Sequence, residues 1–321
     1  MKSKIVKMKK GASIVLVALV GLSSCVFPVC ITQEAQVINI SGAWALYPMM
    51  VTWAEEYTKI YPDIRIDVSA GGAGKGMADT LGGLVDIGMV SREIYPEEIE
   101  KGAFSIAVVK DAVIPIFNKE NPYREEVASR GLTKDMFYNL YISGNITTWG
   151  DILGRPDITD KVQVYTRSDA CGAAQTWALY LGYTQEDLQG VGVYGDPGIV
   201  EAVANDKCGI GYANLNFAYD ATTGTPSPGV RALPIDLNNN VTVDDFEYIY
   251  DTKTDVIQAI IAGVYPSPPA RDLYMVTKGK PTGIVRDFLL WILTDGQQYI
   301  EETGYISLGA RIEVELERLE E

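Results

Sequence analysis

Val164-Tyr-Thr-Arg167-Ser-Asp-Ala-Cys171-Gly172-Ala173-Ala-Gln175-Thr-Trp177 reads as a short strand that turns through small residues into a helix. Such a junction aims the free N–H groups of a helix start at whatever lies above the strand end. The positive end of the helix dipole favours negative charge there. Arg167, four residues ahead of Cys171, adds a guanidinium fork suited to an oxygen anion. An ordinary strand–turn–helix with a surface arginine would look the same, so the rest of the chain decides.

Upstream, the same junction recurs. Val37–Ser41 is an apolar β-type run ending at Gly42. Pro48 then opens a helix with Met50, Trp53, Ala54, Tyr57 and Tyr61 on one face, and Pro62 stops it. Ile64–Val68 alternates like a strand, the glycine-rich Ala70–Gly76 turns into a helix reaching Leu84, and Val85–Val90 is a buried strand closing on Ser91-Arg92. Strand–helix–strand–helix–strand in so short a span specifies parallel pairing, and ligands of open α/β sheets collect where strand ends meet helix starts. The junctions after Ser41, Ser69 and Tyr165 would then offer N–H groups to one anion. Gly71–Gly76 is no P-loop, because no Gly-Lys-Ser/Thr follows at the required spacing; taken alone, a plain loop accounts for it.

Downstream, Ala107–Phe117 is a long apolar strand read as a crossing into a second lobe. Helices are predicted at Leu132–Leu140, Ile199–Asn205 and Thr254–Ala262, and short strands at Gly209–Tyr212 and Leu273–Thr277. Gly224–Gly229 reads as the route back to the first lobe. A last amphipathic helix is predicted from about Pro281 to Glu302.

The N-terminus carries Lys2, Lys4, Lys7, Lys9 and Lys10, then the apolar run Ala12–Leu22, then Ser23-Ser24-Cys25. This is the pattern of a secretory signal over residues 1–24. The small residues before Cys25 resemble a lipoprotein processing box, giving a lipidated Cys25, a linker over 25–36 and a chain anchored on the outer face of the cell membrane. The alternatives are an uncleaved anchor or a plain signal with an incidental cysteine. Without residues 1–24 there remain 22 basic and 42 acidic residues, a net charge of −20. That excludes nucleic acid and anionic membrane surfaces as partners, but not a small anion held by local donors. The sequence has no histidine, which removes Ser-His-Asp and Cys-His catalysis and every histidine-containing metal site. Of four cysteines, Cys171 and Cys208 could pair in an oxidising compartment.

Six ordered blocks carry a family resemblance: Ser41-Gly-Ala-Trp-Ala-Leu46-Tyr47-Pro48, Val85-Asp-Ile-Gly-Met-Val-Ser91-Arg92, Gly144-Asn-Ile-Thr-Thr-Trp149, Arg167 to Ala173, Gly209-Ile-Gly-Tyr212 and Leu273 to Gly283. Together they resemble the phosphate-binding proteins of ABC importers over about residues 37–308. The resemblance implies an α/β fold of the two-lobed type 2 periplasmic-binding-protein kind. Each lobe is a mostly parallel sheet flanked by helices, and crossing strands form the hinge. Lobe 1 would comprise 37–115 and 222–321, and lobe 2 would comprise 116–221. It also implies a ligand held at Leu46, Tyr47, Gly72, Ala73, Gly74, Ser91, Arg167, Cys171, Gly172 and Ala173. At these places the family's usual hydroxyls have become Leu46, Ala73, Cys171 and Ala173, and its carboxylate has become Ser91. Backbone N–H groups survive such swaps. Each lost hydroxyl costs about 1 kcal/mol unless Ser168, Gln175, Thr176 or Arg92 compensates.

The function that follows is an extracytoplasmic binding protein that delivers an inorganic oxyanion, phosphate first, to an ABC importer permease. Sulfate, tungstate or molybdate carriers, or a surface anion receptor without a transport partner, are the alternatives. An enzyme using Cys171 as nucleophile, its thiol acidified by the helix start and Arg167, is disfavoured for want of a base. A separate loop, Asp236, Asn238, Asn240, Thr242, Asp244 and Glu247, has the spacing of a structural calcium loop with Val241 where glycine belongs. An acidic, Asn-rich surface loop is the simpler reading.

Overall fold

The computed structural model describes residues 36–320, so the signal segment, Cys25 and Cys30 lie outside the described residues. Among the described residues there are eleven strands: β1 (Gln36–Gly42), β2 (Ile64–Ala70), β3 (Ile87–Val90), β4 (Ala103–Asn118), β5 (Leu132–Thr133), β6 (Gln163–Arg167), β7 (Val191–Val193), β8 (Gly209–Asn214), β9 (Val230–Ala232), β10 (Ile235–Asp236) and β11 (Ala270–Lys278). The main sheet runs β2-β1-β3-β11-β4-β8-β6-β7, with β9 beside β4, and β10 and β5 form a separate pair. β1 pairs in parallel with β2 and β3, and β6 with β7 and β8. β11 is antiparallel to β3 and β4, and β4 is antiparallel to β8 and β9.

Two apolar cores form on this frame. The first gathers Ile38, Ile40, Met50, Trp53 and Tyr57 with Leu273, Met275, Phe288 and Ile292. It is closed by the helices Tyr47–Ile60 and Gly283–Leu293, whose Tyr57 and Phe288 rings meet at 4.8 Å. The second gathers Ile114, Phe117, Phe137, Trp177, Ile210 and Tyr212, with the rings of Trp177 and Tyr212 stacked at 5.7 Å. β4 serves both. Residues 103–112 pair with β11 in the first lobe, and 113–118 pair with β8 and β9 in the second.

The cores exchange residues near 110 and 270, whereas the sequence reading places the return at 222. Val230, Ala232, Ile235, Val256 and Ala259 all pack in the second core. The physical reason is pairing: β9 extends the second-lobe end of β4, and β10 joins β5. The proline- and threonine-rich 224–229 is therefore a turn within that lobe. The last predicted helix also ends early, at Leu293, where Thr294 leaves helical geometry (φ −114°, ψ −97°). Gly296 there accepts the Trp53 indole N–H at 2.8 Å, and a further helix follows at Arg311–Glu320.

Candidate functional site

Parallel pairing aligns the C-terminal ends of β1, β2 and β3, with Ser41 opposite Ser69 and Gly42 opposite Met89. Each end passes directly into the site. After β1, Leu46 caps the helix Tyr47–Ile60; after β2, Gly72 caps the helix Ala73–Gly82 with φ 91°, a conformation open to glycine. The Gly71 and Gly72 N–H groups both donate to the Gly42 carbonyl, at 2.8 and 3.0 Å, which ties the two turns together. Ser91 follows β3 and is buried.

Opposite them, β6 ends at Arg167 and Cys171 caps the helix Gly172–Leu181. The Cys171 Sγ accepts the Ala174 N–H at 3.4 Å, doing the capping work of a hydroxyl. Gly172 and Ala173 occupy the first two helical positions, where an N–H has no acceptor within its own helix.

The two walls touch. Gly74 donates its N–H to the Ala170 carbonyl across the cleft at 3.1 Å. A Cβ on Gly172 would lie 2.1 Å from Ser91 Oγ, and one on Gly72 would lie 2.7 Å from the Ala170 oxygen. Gly72, Ala73, Gly74, Ser91, Cys171, Gly172 and Ala173 are thus brought to one place. Leu46 is fully buried in the first core, and Tyr47 is half-buried behind its own helix start. Trp44 spans the cleft from the same turn, with ring centroids 6.2 Å from Tyr194 and 6.3 Å from Phe217.

Arg167 is placed differently from the expectation. Its side chain is buried, and its fork is taken by two carboxylates: Nε and Nη2 donate to Asp169 at 2.8 and 2.6 Å, and Nη1 donates to Asp196 at 2.6 Å. Asp196 also accepts the Asn214 backbone and amide N–H groups, both at 2.8 Å. Arg167 therefore fixes Asp169 at the cleft rather than offering a free fork. Asp169 Oδ2 would lie 3.0 Å from a Cβ on Gly72, which puts a carboxylate against the first lobe's glycine turn. Three of the four compensating groups named from sequence are engaged elsewhere: Arg92 is held by both oxygens of Glu98, Gln175 accepts the Gln185 N–H at 3.3 Å, and Thr176 accepts from Arg271 at 2.8 Å.

The network continues into the crossing strands, where sequence reasoning did not look. Arg271 of β11 donates to the Gly172 carbonyl (2.5 Å), to Thr176 and to Asn214, and lies 3.5 Å from Asp111 of β4. Asp111 is fully buried, and neither oxygen accepts a hydrogen bond of ordinary geometry. Burial pushes its carboxyl up to about 7, with Arg271 opposing. A lone acid inside the apolar run Ala107–Phe117 was the available signal.

Both Cys171 and Cys208 are free thiols, so the suggested pairing does not form. Burial pushes the Cys171 thiol up to about 12 despite Arg167, the reverse of the acidification a nucleophile needs. In the 236–247 loop, Asp236 accepts the Asn239 and Val241 N–H groups at 2.8 Å each. Glu247 accepts those of Leu237 and Asp244, at 2.7 and 3.0 Å. Asn238 and Asn240 turn N–H groups, not oxygens, toward Asp244, at 2.7 and 2.8 Å. Among the described residues no three His, Cys, Asp or Glu side chains gather around a metal position, and the Asp236 and Glu247 carboxylates build the turn.

A family model described as a PBP superfamily domain matches residues 31–296. The chain belongs to the PBP superfamily. Within it, the chain is 26% identical over 273 residues to the phosphate-binding protein PstS of Bacillus subtilis, covering 84% of this chain and 80% of that protein. It is 25% identical over 301 residues to PstS of Pseudomonas aeruginosa, covering 84% and 83%. A substrate-binding protein from Clostridium perfringens, solved with bound phosphate, overlays with a TM-score of 0.68 at 23% identity, over 85% of this chain and 100% of that one. An ABC-type phosphate transport receptor from Vibrio cholerae gives a TM-score of 0.59 at 19% identity, over 84% and 99%. These overlays establish the two-lobed PBP architecture, and the geometry above locates this member's cleft.

Proposed function

We propose that this PBP superfamily member is an extracytoplasmic solute-binding protein. It closes its lobes on an inorganic oxyanion, phosphate first, and presents it to an ABC importer permease, held at the membrane through a lipidated Cys25. The observation that carries the reading is the meeting of two helix starts across the cleft. There Gly74 and Ala170, and Gly172 and Ser91, come into contact beside the Asp169 carboxylate. An entering anion would exchange the Gly74–Ala170 bond for the N–H groups of Ala73, Gly74, Gly172 and Ala173. Asp169 is an acceptor that rewards an oxyanion still carrying a proton and penalises a fully ionised one. Relatives at about a quarter identity named as phosphate-binding proteins support the same ligand. Lobe closure couples capture to a shape that a permease can read.

Titration calorimetry against phosphate, sulfate, molybdate and tungstate tests this. Phosphate should bind and sulfate should not. Gly172→Ala, whose methyl props the lobes apart, should weaken phosphate at least about tenfold, or about 1.4 kcal/mol. Absence of binding by all four ions would refute the reading.

A further inference from the structure

We propose that Arg271, rooted on a crossing strand, is a positioning residue of the oxyanion site: it sets the second-lobe helix start and acts on the anion without touching it. This deepens the phosphate reading and rests on it. β11 runs antiparallel to β4 with Arg271 opposite Asp111 and Ala270 opposite Ala112, where the two cores exchange. Residues directly opposite in such a pair share one face of the sheet, so both side chains leave the crossing strands on the same side. From there the guanidinium reaches into the second lobe. Nη1 donates to the Gly172 carbonyl at 2.5 Å and to Thr176 Oγ1 at 2.8 Å, and Nη2 donates to Asn214 Oδ1. Gly172 and Thr176 stand about one turn apart in the helix Gly172–Leu181, so the two bonds fix both the height and the rotation of its first turn. The Gly172 and Ala173 N–H groups offered to the anion belong to that turn. The third bond steadies the carboxylate of the same wall. Asn214 donates to Asp196, Asp196 accepts from Arg167, and Arg167 holds Asp169 at the cleft. A planar guanidinium can serve three acceptors in this way, and a lysine ammonium cannot keep their geometry.

Charge follows the same path. Arg167 lies between two carboxylates, Asp169 and Asp196, so that trio carries a net negative charge. Arg271 brings a buried positive charge to the helix start, and its own carboxylate is Asp111, 3.5 Å from Nη2. Asp111 is fully buried, and neither oxygen accepts a hydrogen bond of ordinary geometry. It faces Arg271 from β11 and Asp196 from the helix Gly195–Asn205, and it acts on Lys253 of the helix Lys253–Ile261, on Tyr265 and on Tyr305. Burial raises its carboxyl to about 7 against the pull of Arg271. Protonated, Asp111 leaves the Arg271 charge uncancelled beside the anion; ionised, it cancels that charge. The bound anion therefore favours the protonated form. Capture near neutral pH takes a proton onto Asp111, and affinity falls as pH climbs through the value of the empty site.

The test is phosphate calorimetry from pH 6 to pH 8 on wild type, Arg271→Lys and Asp111→Asn, in two buffers of different ionisation heat. Arg271→Lys keeps the charge but not the fork, and should weaken phosphate at least about tenfold at pH 6. Wild type and Asp111→Asn meet the same phosphate species at each pH, so the ligand's own titration cancels from the ratio of their dissociation constants. The ratio of wild type to Asp111→Asn should rise at least about threefold from pH 6 to pH 8. At pH 7 wild type should take up more protons per phosphate bound than Asp111→Asn does. A flat ratio, or wild-type affinity in folded Arg271→Lys, overturns the proposal. If Arg271→Lys does not fold, the Asp111→Asn comparison decides alone. Wild type that binds no oxyanion removes the phosphate reading and this proposal together, whereas phosphate binding with a flat ratio removes the proposal alone.

Discussion

Replacing Asp111 by Asn should change how the protein's stability depends on pH. Asp111 sits on β4 where the lobes join. It faces Arg271 from β11 and Asp196 from the helix Gly195–Asn205, and is close enough to Lys253, Tyr265 and Tyr305 to perturb them. Burial raises its carboxyl from 3.8 to about 7. The folded protein therefore holds a proton on this group that the unfolded chain releases above about pH 4. An acid raised on folding gives stability that is present at low pH and is lost as pH climbs through the folded value. Over pH 5 to 8 the loss from this single group is roughly 2–3 kcal/mol, as an upper figure. Urea unfolding at pH 5, 6, 7 and 8 reads it directly. Wild type should lose that increment and Asp111→Asn should lose much less, with the remaining slope shared by both. Parallel curves for the two proteins would refute the assignment of a buried, protonated Asp111.

Three further outcomes are expected. Arg167→Ala strands Asp169 and Asp196 without their cation, and should cost about 3–5 kcal/mol in urea unfolding. A merely local loss of anion affinity with unchanged stability would contradict the paired geometry. In native protein at pH 8, Ellman's reagent should label the half-buried Cys208 and spare Cys171 until denaturant is added; rapid labelling at Cys171 would contradict its burial. Val241 is held at φ 62°, a costly conformation for a β-branched residue, so Val241→Gly should stabilise by about 1 kcal/mol in thermal unfolding, with no further rise on adding calcium.

The fold was legible because the β1–β3 segment obeys local rules: β-type runs at Val37–Ser41, Ile64–Val68 and Val85–Val90, a helix start at Pro48 and a stop at Pro62, with a second helix after the glycine-rich turn that the structure ends at Gly82 rather than Leu84. The strand ends after Ser69 and Tyr165 pointed to the turns that hold Gly72 and Gly172, while Ser91 was named by the family resemblance. What could not be read was pairing at a distance. Arg167 looked free because its second carboxylate, Asp196, is 29 residues away and reaches it only after β6, β7 and β8 align. The Cys171 thiol looked activated because a helix start and an arginine stand beside it, but burial outweighs both. The return to the first lobe was misplaced because a proline-rich loop signals a turn without saying between which lobes. Only the β9–β4 and β10–β5 pairings decide that.

The sixteen-residue strand β4 also sets an order of assembly. The second core is drawn from one continuous run, Ala112 to Ala270, whereas the first needs Leu273 to Leu319 to close over Ile38 to Val109. A chain emerging from its N-terminus can complete the later half first, while the earlier half waits with β3 and the leading end of β4 lacking the strand that will lie between them. The loop that β11 must close spans the whole second lobe, the slow kind of contact. The first half to be synthesised is the last to become native, and its open edges are where misassembly would begin.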